Sequence, residues 1–329
     1  MTQVSLVTGA TGFVGSHLVE RLIRRGDRVI CQVRRSSNIQ WLEGLDVERL
    51  VWDCADPPPS RYLDLFAQVH SVFHSAGIMR AADPAAFEAA NRRGVENLCQ
   101  SMRRAKANLR RFVLISSLAA AGPAGPGEKI TEVRKPRPIS HYGISKLAGE
   151  RALNRYGDDF PIVILRPPVI FGPRDRGFYP LFQMARRHIC LIPGNPGMRL
   201  SALHVDDVVE AAVLADEKEE ASGRTFVLSD DEPGTLEEFS ISLARAVTDF
   251  RLPLYVPSGL VRFLARNMAF LAGIFGIPIS FGRDKLEELC VGSWSADDSQ
   301  ARRRLGFRPR WELLPGLKDA YLWYTAMGW

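Results

Sequence analysis

Short apolar runs alternate with amphipathic segments along the first two thirds of the chain. Val4 to Val7 is an apolar run, and after it Val14, Leu18, Val19, Leu22 and Ile23 recur at helical spacing. Further runs at 28–33, 47–52, 69–74, 111–115 and 161–165 have the length and β-branched content of buried strands. Between them, Ile144, Leu147, Ala148 and Ala152 form the apolar stripe of another helix. The pattern loosens after about residue 173. There 203–207 opens a helix running through Leu214, 224–228 returns a strand to the sheet, and the remainder reads as mostly helical. Repeated β–α alternation predicts an α/β fold with a doubly wound parallel sheet. Residues 1–172 and about 200–229 would form it; about 173–199 and 230–329 would form a smaller, mostly helical substrate domain.

The turn between the first strand and the first helix carries the chemistry. Thr8-Gly9-Ala10-Thr11-Gly12-Phe13-Val14-Gly15 spaces its glycines as G-x-x-G-x-x-G. A glycine turn that opens a helix presents backbone N–H groups and the positive helix end to a pyrophosphate. Gly9 permits the tight turn, Gly12 lets the cofactor approach, and Gly15 lets helix and strand pack. This is the signature of a Rossmann dinucleotide site. The residue ending the second strand meets the adenosine ribose, where an acid suits NAD and an arginine accommodates the 2′-phosphate of NADP. Val33 is followed by Arg34-Arg35, and Asp27 lies before the strand, so NADP(H) is expected over NAD(H). Asp53 is a candidate adenine contact. Ser75-Ala76-Gly77 are small enough to let backbone approach the cofactor.

Ligands of open α/β sheets bind outside the carboxyl ends of the strands, which is where Ser116-Ser117 falls. Tyr142 and Lys146 stand one helical turn apart on one face. Together they could reduce a ketone. Tyr142 would supply the proton, Lys146 would hold the nicotinamide ribose, and Ser117 would bond the substrate oxygen as it gains charge. A free tyrosine titrates at about 10. The ammonium of Lys146 is expected to supply part of a lowering toward neutrality, and a positively charged nicotinamide ring to help.

Composition narrows the remaining classes. The chain has 329 residues, 46% of them hydrophobic, with a net charge of +6. The basic runs 103–106, 110–111 and 302–304 have no interleaved aromatics, so they read as solvated faces and no nucleic-acid partner is expected. Cys31, Cys54, Cys99, Cys190 and Cys290 are scattered without a C-x-x-C pair, which fits a reducing compartment, the cytoplasm, and implies no metal. No signal peptide or uninterrupted membrane span is expected. The segment 258–281 is the most apolar outside the sheet. Leu260, Phe263, Met268, Phe270 and Phe275 lie in it, and Arg262 and Arg266 edge it. It reads as a packed helix, as the entrance for an apolar substrate, or as a peripheral membrane contact. A homodimer is the remaining partner expectation.

The motifs occur in an order that resembles the extended short-chain dehydrogenase/reductase family. They are Thr8-Gly9-x-x-Gly12-x-x-Gly15, His74-x-Ala76-Gly77, Asn91-x-x-Gly94, Ser116-Ser117, Tyr142-x-x-x-Lys146, and Arg166-Pro167 through Gly172-Pro173. The resemblance covers essentially the whole chain and implies a nicotinamide cofactor with a catalytic Ser117, Tyr142 and Lys146. Ser117 is chosen over Ser116 because Gly122 follows it by five residues. The resemblance also implies cofactor contacts from Thr11, Phe13, Val14, Cys54, Asn91, Pro167 and Val169. Residues 164–175, Leu203-His204-Val205-Asp206-Asp207 and Leu228-Ser229-Asp230-Asp231 are most similar to the 3β-hydroxysteroid dehydrogenase branch, with its sterol-4α-carboxylate 3-dehydrogenases. That implies a small hydrophobic substrate, sterol-like, oxidised or reduced at a 3-hydroxy or 3-keto group. Arg34-Arg35 departs from the acid usual in the decarboxylating sterol enzymes.

Two other functions compete. A nucleotide-sugar epimerase or dehydratase would usually carry Asn at the position of Val169, and a dehydratase would carry Thr-Asp-Glu where this chain has Ser117-Leu118-Ala119. A non-catalytic redox-sensing protein would typically lack the Tyr–Lys pair, which is present.

Overall fold

The computed structural model describes residues 2–81, 83–125, 127–266 and 288–329. Much of the apolar segment singled out above, from 267 to 281, lies outside them.

The first strands are β1 (Val4–Thr8), β2 (Arg28–Val33), β3 (Val47–Val51), β4 (Ser71–His74), β5 (Arg111–Ile115) and β6 (Ile162–Arg166). With the strand Arg224–Val227 they form one seven-stranded sheet. Its order is Arg224–Val227, β6, β5, β4, β1, β2, β3, and every pairing is parallel. This is the expected doubly wound sheet. The order reverses between β1 and β4, and at such a reversal the loops diverge and leave a crevice at the carboxyl ends.

Alternation along each strand feeds two separate cores. On one face Val7 of β1 packs with Leu18 of the helix Phe13–Arg25, Val208 of the helix Val205–Glu217, and Phe226. On the other, Leu6 packs with Leu98 of the helix Gly94–Arg104, with Phe112, and with Leu153 of the helix His141–Asn154. A third core joins Phe171, Phe182, Phe239, Trp294, Leu317 and Tyr324 beyond the sheet's carboxyl edge.

Several predicted boundaries shift, each for a local reason. Val69 closes a turn onto Phe66, its N–H 3.1 Å from that carbonyl, so β4 begins only at Ser71. The third strand stops at Val51 rather than Trp52. Residues 203 and 204 do not open a helix. They belong to a short strand, Ala202–His204, paired with Val169–Phe171. The helix begins at Val205, capped by the His204 ring, which accepts the Asp206 N–H, and it runs past Leu214 to Glu217. The remainder is less helical than its composition suggested. Leu252–Pro257 runs parallel to Ile189–Gly194, and Gly234–Thr235 pairs with Arg199–Leu200.

Candidate active site

The glycine turn builds the phosphate end. Gly9 sits at φ +67°, and its carbonyl accepts the Gly12 N–H at 2.9 Å. A Cβ on Gly9 would lie 2.7 Å from the Ala76 nitrogen, so only glycine lets the turn press against the β4 loop. Gly12 caps the helix Phe13–Arg25 without a side-chain hydrogen bond, which leaves the first-turn N–H groups directed at the crevice. Gly15 packs on the turn rather than on the strand: its Cβ would meet the Gly9 carbonyl oxygen at 2.1 Å.

The crevice divides into three joined volumes. The central one, about 420 Å³, is lined by Gly9, Gly12, Phe13, Val14, Ser75, Gly77, Asn91, Ser117, Tyr142, Lys146, Pro167 and Val169. A smaller one of about 160 Å³ lies at the ends of β2 and β3, lined by Thr11, Gln32, Arg34, Ser37, Asp53, Cys54 and Ala76 among others. Arg34 and Arg35 are both exposed; Arg34 lines this volume and Arg35 does not. The Arg34 N–H bonds Ser37 Oγ at 3.0 Å, which shapes the loop beneath.

Gln32 escaped sequence reasoning. Buried in β2, it accepts the Gly9 N–H at 3.1 Å and donates to the Trp52 carbonyl at 2.5 Å, tying the glycine turn to two strands. An amide inside the apolar run Val29-Ile30-Cys31-Gln32-Val33 was the available signal. Asn91 lines the cavity but also acts as a clamp. It exchanges bonds with Ile78 (2.9 and 3.1 Å) and donates to Ser145 Oγ at 2.8 Å, fixing the β4 loop to the helix that carries Tyr142.

That helix, His141–Asn154, is capped by Ser140, whose Oγ accepts the Gly143 N–H at 3.0 Å. Gly143 lets it seat on the short helix Leu118–Ala121, since a Cβ there would lie 2.3 Å from the Ala119 carbonyl oxygen. The two serines then separate by role. Ser116 Oγ donates to Glu150 Oε1 at 2.5 Å, inside a buried network in which Arg166 grips the same carboxylate at 2.6 and 2.9 Å. Ser117 caps Leu118–Ala121, faces the cavity, and hydrogen-bonds Tyr142.

The electrostatics correct one expectation. Tyr142 is not drawn toward neutrality. Loss of water around its hydroxyl pushes it up to about 12; the Ser117 bond opposes this and the Glu288 carboxylate adds to it. Lys146 is itself pulled down to about 8 by burial, against the attraction of Glu150, and its Nζ donates to the Ile115 carbonyl at 2.6 Å. Desolvation therefore outweighs the one-turn spacing. Near neutral pH, the Tyr142 Oη keeps its proton.

The third volume, about 140 Å³, is almost wholly apolar. Leu118, Phe178, Leu191, Leu200, Phe239 and Trp294 contribute to its wall. It meets the central cavity at Ser117, Pro168, Val169, Phe178 and Glu288. Glu288 was not anticipated, because no motif surrounds it and nothing in its spacing ties it to the helix it meets. Among the described residues no cluster of metal-binding side chains occurs, and no helix is long and apolar enough to cross a membrane.

A parallel sheet with this strand order and a glycine-rich crevice at its switch point defines the class: a Rossmann-type dinucleotide-binding protein. The chain belongs to the NAD dependent epimerase/dehydratase family, whose model matches residues 5–229. It is 30% identical to a ceramide reductase of Caulobacter vibrioides over 99% of this chain and 96% of the relative. It is 26% identical to a 2-alkyl-3-oxoalkanoate reductase of Stenotrophomonas maltophilia, over 95% and 97% of the two chains. The structure of a UDP-glucuronic acid 4-epimerase from Bacillus cereus in complex with NAD superposes with a TM-score of 0.77 at 23% identity, covering 98% and 96% of the two chains, a likeness of fold.

Proposed function

We propose that the protein is an NADP(H)-dependent reductase of a ketone, a 3-keto group, carried by a hydrophobic lipid or sterol-like substrate. The observation that carries this reading is the meeting of the cofactor cavity with an apolar pocket at Ser117, beside Tyr142. The crevice fits a dinucleotide: a cradle that a Cβ at Gly9 would fill, helix N–H groups left for a pyrophosphate, and Arg34 at the ribose end. The bound nicotinamide would supply the hydride.

The chain's own residues would do the rest. Leu200, Phe239 and their neighbours bury the hydrocarbon, at roughly 0.8 kcal/mol per methylene. Ser117 bonds the carbonyl oxygen as charge builds on it. The raised Tyr142 keeps its proton at Oη, which suits the donor's part in reduction. Lys146, which lines the same cavity, would hold the nicotinamide ribose. The apolar wall and Val169 offer nothing to a diphosphate-sugar. Two relatives named as reductases, of ceramide and of an alkyl-oxoalkanoate, support a lipid-like substrate. Exposed Phe250, Leu252, Leu254, Leu260 and Phe263 support a peripheral membrane contact, which liposome co-sedimentation would test.

The deciding experiment follows NADPH and NADH oxidation with long-chain 3-keto compounds, 3-ketosteroids, flavanonols and UDP-sugars. Oxidation of NADPH with the apolar ketones is expected. Activity confined to UDP-sugars would overturn the proposal.

A further inference from the structure

Behind the candidate active site, a carboxylate and a guanidinium are buried where apolar side chains would fill the space as well. Glu150 is 2% exposed and Arg166 5%, and neither lines any of the three joined volumes. Glu150 extends the stripe of Tyr142 and Lys146 by one more turn of the helix His141–Asn154. Its carboxylate takes three hydrogen bonds. Ser116 Oγ and Arg166 Nε donate to Oε1 at 2.5 and 2.9 Å, and Arg166 Nη2 donates to Oε2 at 2.6 Å.

Both donor residues stand next to residues of the site. Ser116 precedes Ser117, and Arg166 precedes Pro167, which lines the central cavity. Backbone bonds join the ends of β5 and β6 there: the Ser116 N–H reaches the Leu165 carbonyl at 2.7 Å, and the Leu118 N–H reaches the Pro167 carbonyl at 2.9 Å. From the same helix as Glu150, Lys146 Nζ donates to the Ile115 carbonyl at 2.6 Å. The Tyr142 helix is therefore fastened twice to the residues leading into Ser117, and Ser116 is where the ion pair takes hold.

Stability is a poor reason for such a pair. Two charges taken out of water lose their solvation, and their mutual attraction often does no more than offset that loss. Apolar residues of similar volume would often be as stable or more so. What an apolar cluster lacks is direction, because a carboxylate shared by a serine and a forked guanidinium fixes the geometry of all three. Direction is what the Ser117–Tyr142 bond needs, since a misplacement of about 1 Å can cost about a hundredfold in rate.

Resting on the proposed part of Ser117 in ketone reduction, we infer that Ser116, Glu150 and Arg166 are positioning residues. The ion pair holds Ser116 to the Tyr142 helix, and through Ser116 it aims the Ser117 hydroxyl at Tyr142.

The first variant is Ser116→Ala, which cuts the tie and leaves the ion pair whole. With NADPH and a long-chain 3-keto substrate, kcat should fall about ten- to a hundredfold, with the Kd for NADPH unchanged. In a Ser117→Ala background the same change should cost nothing further, because no hydroxyl is left to aim. A general loosening of the protein would instead multiply the two losses. The second variant combines Ser116→Ala, Glu150→Leu and Arg166→Met. It should fold at least as stably as the wild type and show the same fall in kcat. Wild-type kcat in either variant, or losses that multiply with Ser117→Ala, would overturn the inference. If the triple variant does not fold, Ser116→Ala decides alone.

If the wild type reduces no ketone, the NMR spectrum of the protein labelled with 13C-tyrosine decides. The Tyr142 Cζ signal, identified by its loss in Tyr142→Phe, should move in Ser116→Ala as it does in Ser117→Ala. That shift upholds the positioning role while the proposed reduction itself fails. A signal that Ser116→Ala leaves in place overturns the positioning role as well.

Discussion

The two ends of the crevice are built in opposite ways. The cofactor end is made by backbone. Gly9, Gly12 and the β4 loop lie close because a few residues in one turn leave no room for side chains, and its recognition groups are N–H donors available at any helix start. The substrate end is made by side chains. Leu118, Phe178, Leu191, Leu200, Phe239 and Trp294 come from six separate segments and meet only in the folded chain. The first end is nearly fixed by a contiguous motif, so it recognises the same diphosphate wherever the motif occurs. The second depends on side chains from separate segments, so it can change while the fold stays the same.

That contrast can be broken at the point where the ends meet. Tyr142→Phe should lower turnover by about a hundredfold or more, the scale of a positioned proton donor, with NADPH affinity intact by titration. Turnover within a few-fold of normal would falsify the proposed mechanism. At the cofactor end, Arg34→Ala should weaken NADPH by about 1.5–3 kcal/mol, roughly ten- to a hundredfold, and NADH much less. Arg35→Ala should do little, because that side chain does not line the cavity. Equal losses for the two cofactors would end the 2′-phosphate role. At the substrate end, Ser240→Phe would fill part of the apolar pocket that Ser240 lines. Displacing two methylenes from it should raise KM for an apolar ketone by about tenfold, with the Kd for NADPH unchanged. An unchanged KM would place the substrate elsewhere.

The smallest expected effect sharpens the electrostatic side. Folding pulls Lys146 from 10.5 down to about 8. Between those values the unfolded chain binds a proton that the folded one does not, so this group makes stability rise with pH across that window. Below about pH 8 its burial penalty is present in full. Lys146→Met removes the titration, so the wild type should gain Tm relative to the variant between pH 8 and 10. The variant's loss of the bond to the Ile115 carbonyl adds an offset that does not vary with pH. Parallel Tm curves for the two proteins would show that Lys146 is not desolvated as described. The same variant should also lose turnover.

The sequence alone determined the sheet and the cofactor end. Strand and helix periods are local properties of the chain, and the glycine turn is a contiguous motif whose geometry follows from sterics. It also placed Ser117, Tyr142 and Lys146 in one cavity, because strand ends and a one-turn helical spacing are nearly metric information. It did not separate Arg34 from Arg35, which differ by one residue and by the direction of a loop. It missed Gln32, whose amide matters only because the Gly9 N–H and the Trp52 carbonyl flank it across three strands. It misjudged Tyr142, since spacing reports a nearby ammonium and not the loss of water that outweighs it. Glu288 and the apolar pocket were decided by tertiary structure alone. Ser140 and Glu288 are 148 residues apart in the chain, and no local pattern brings such groups together. Their meeting follows from how the third core packs against the sheet's carboxyl edge, which is a sum of many weak contacts rather than any one motif.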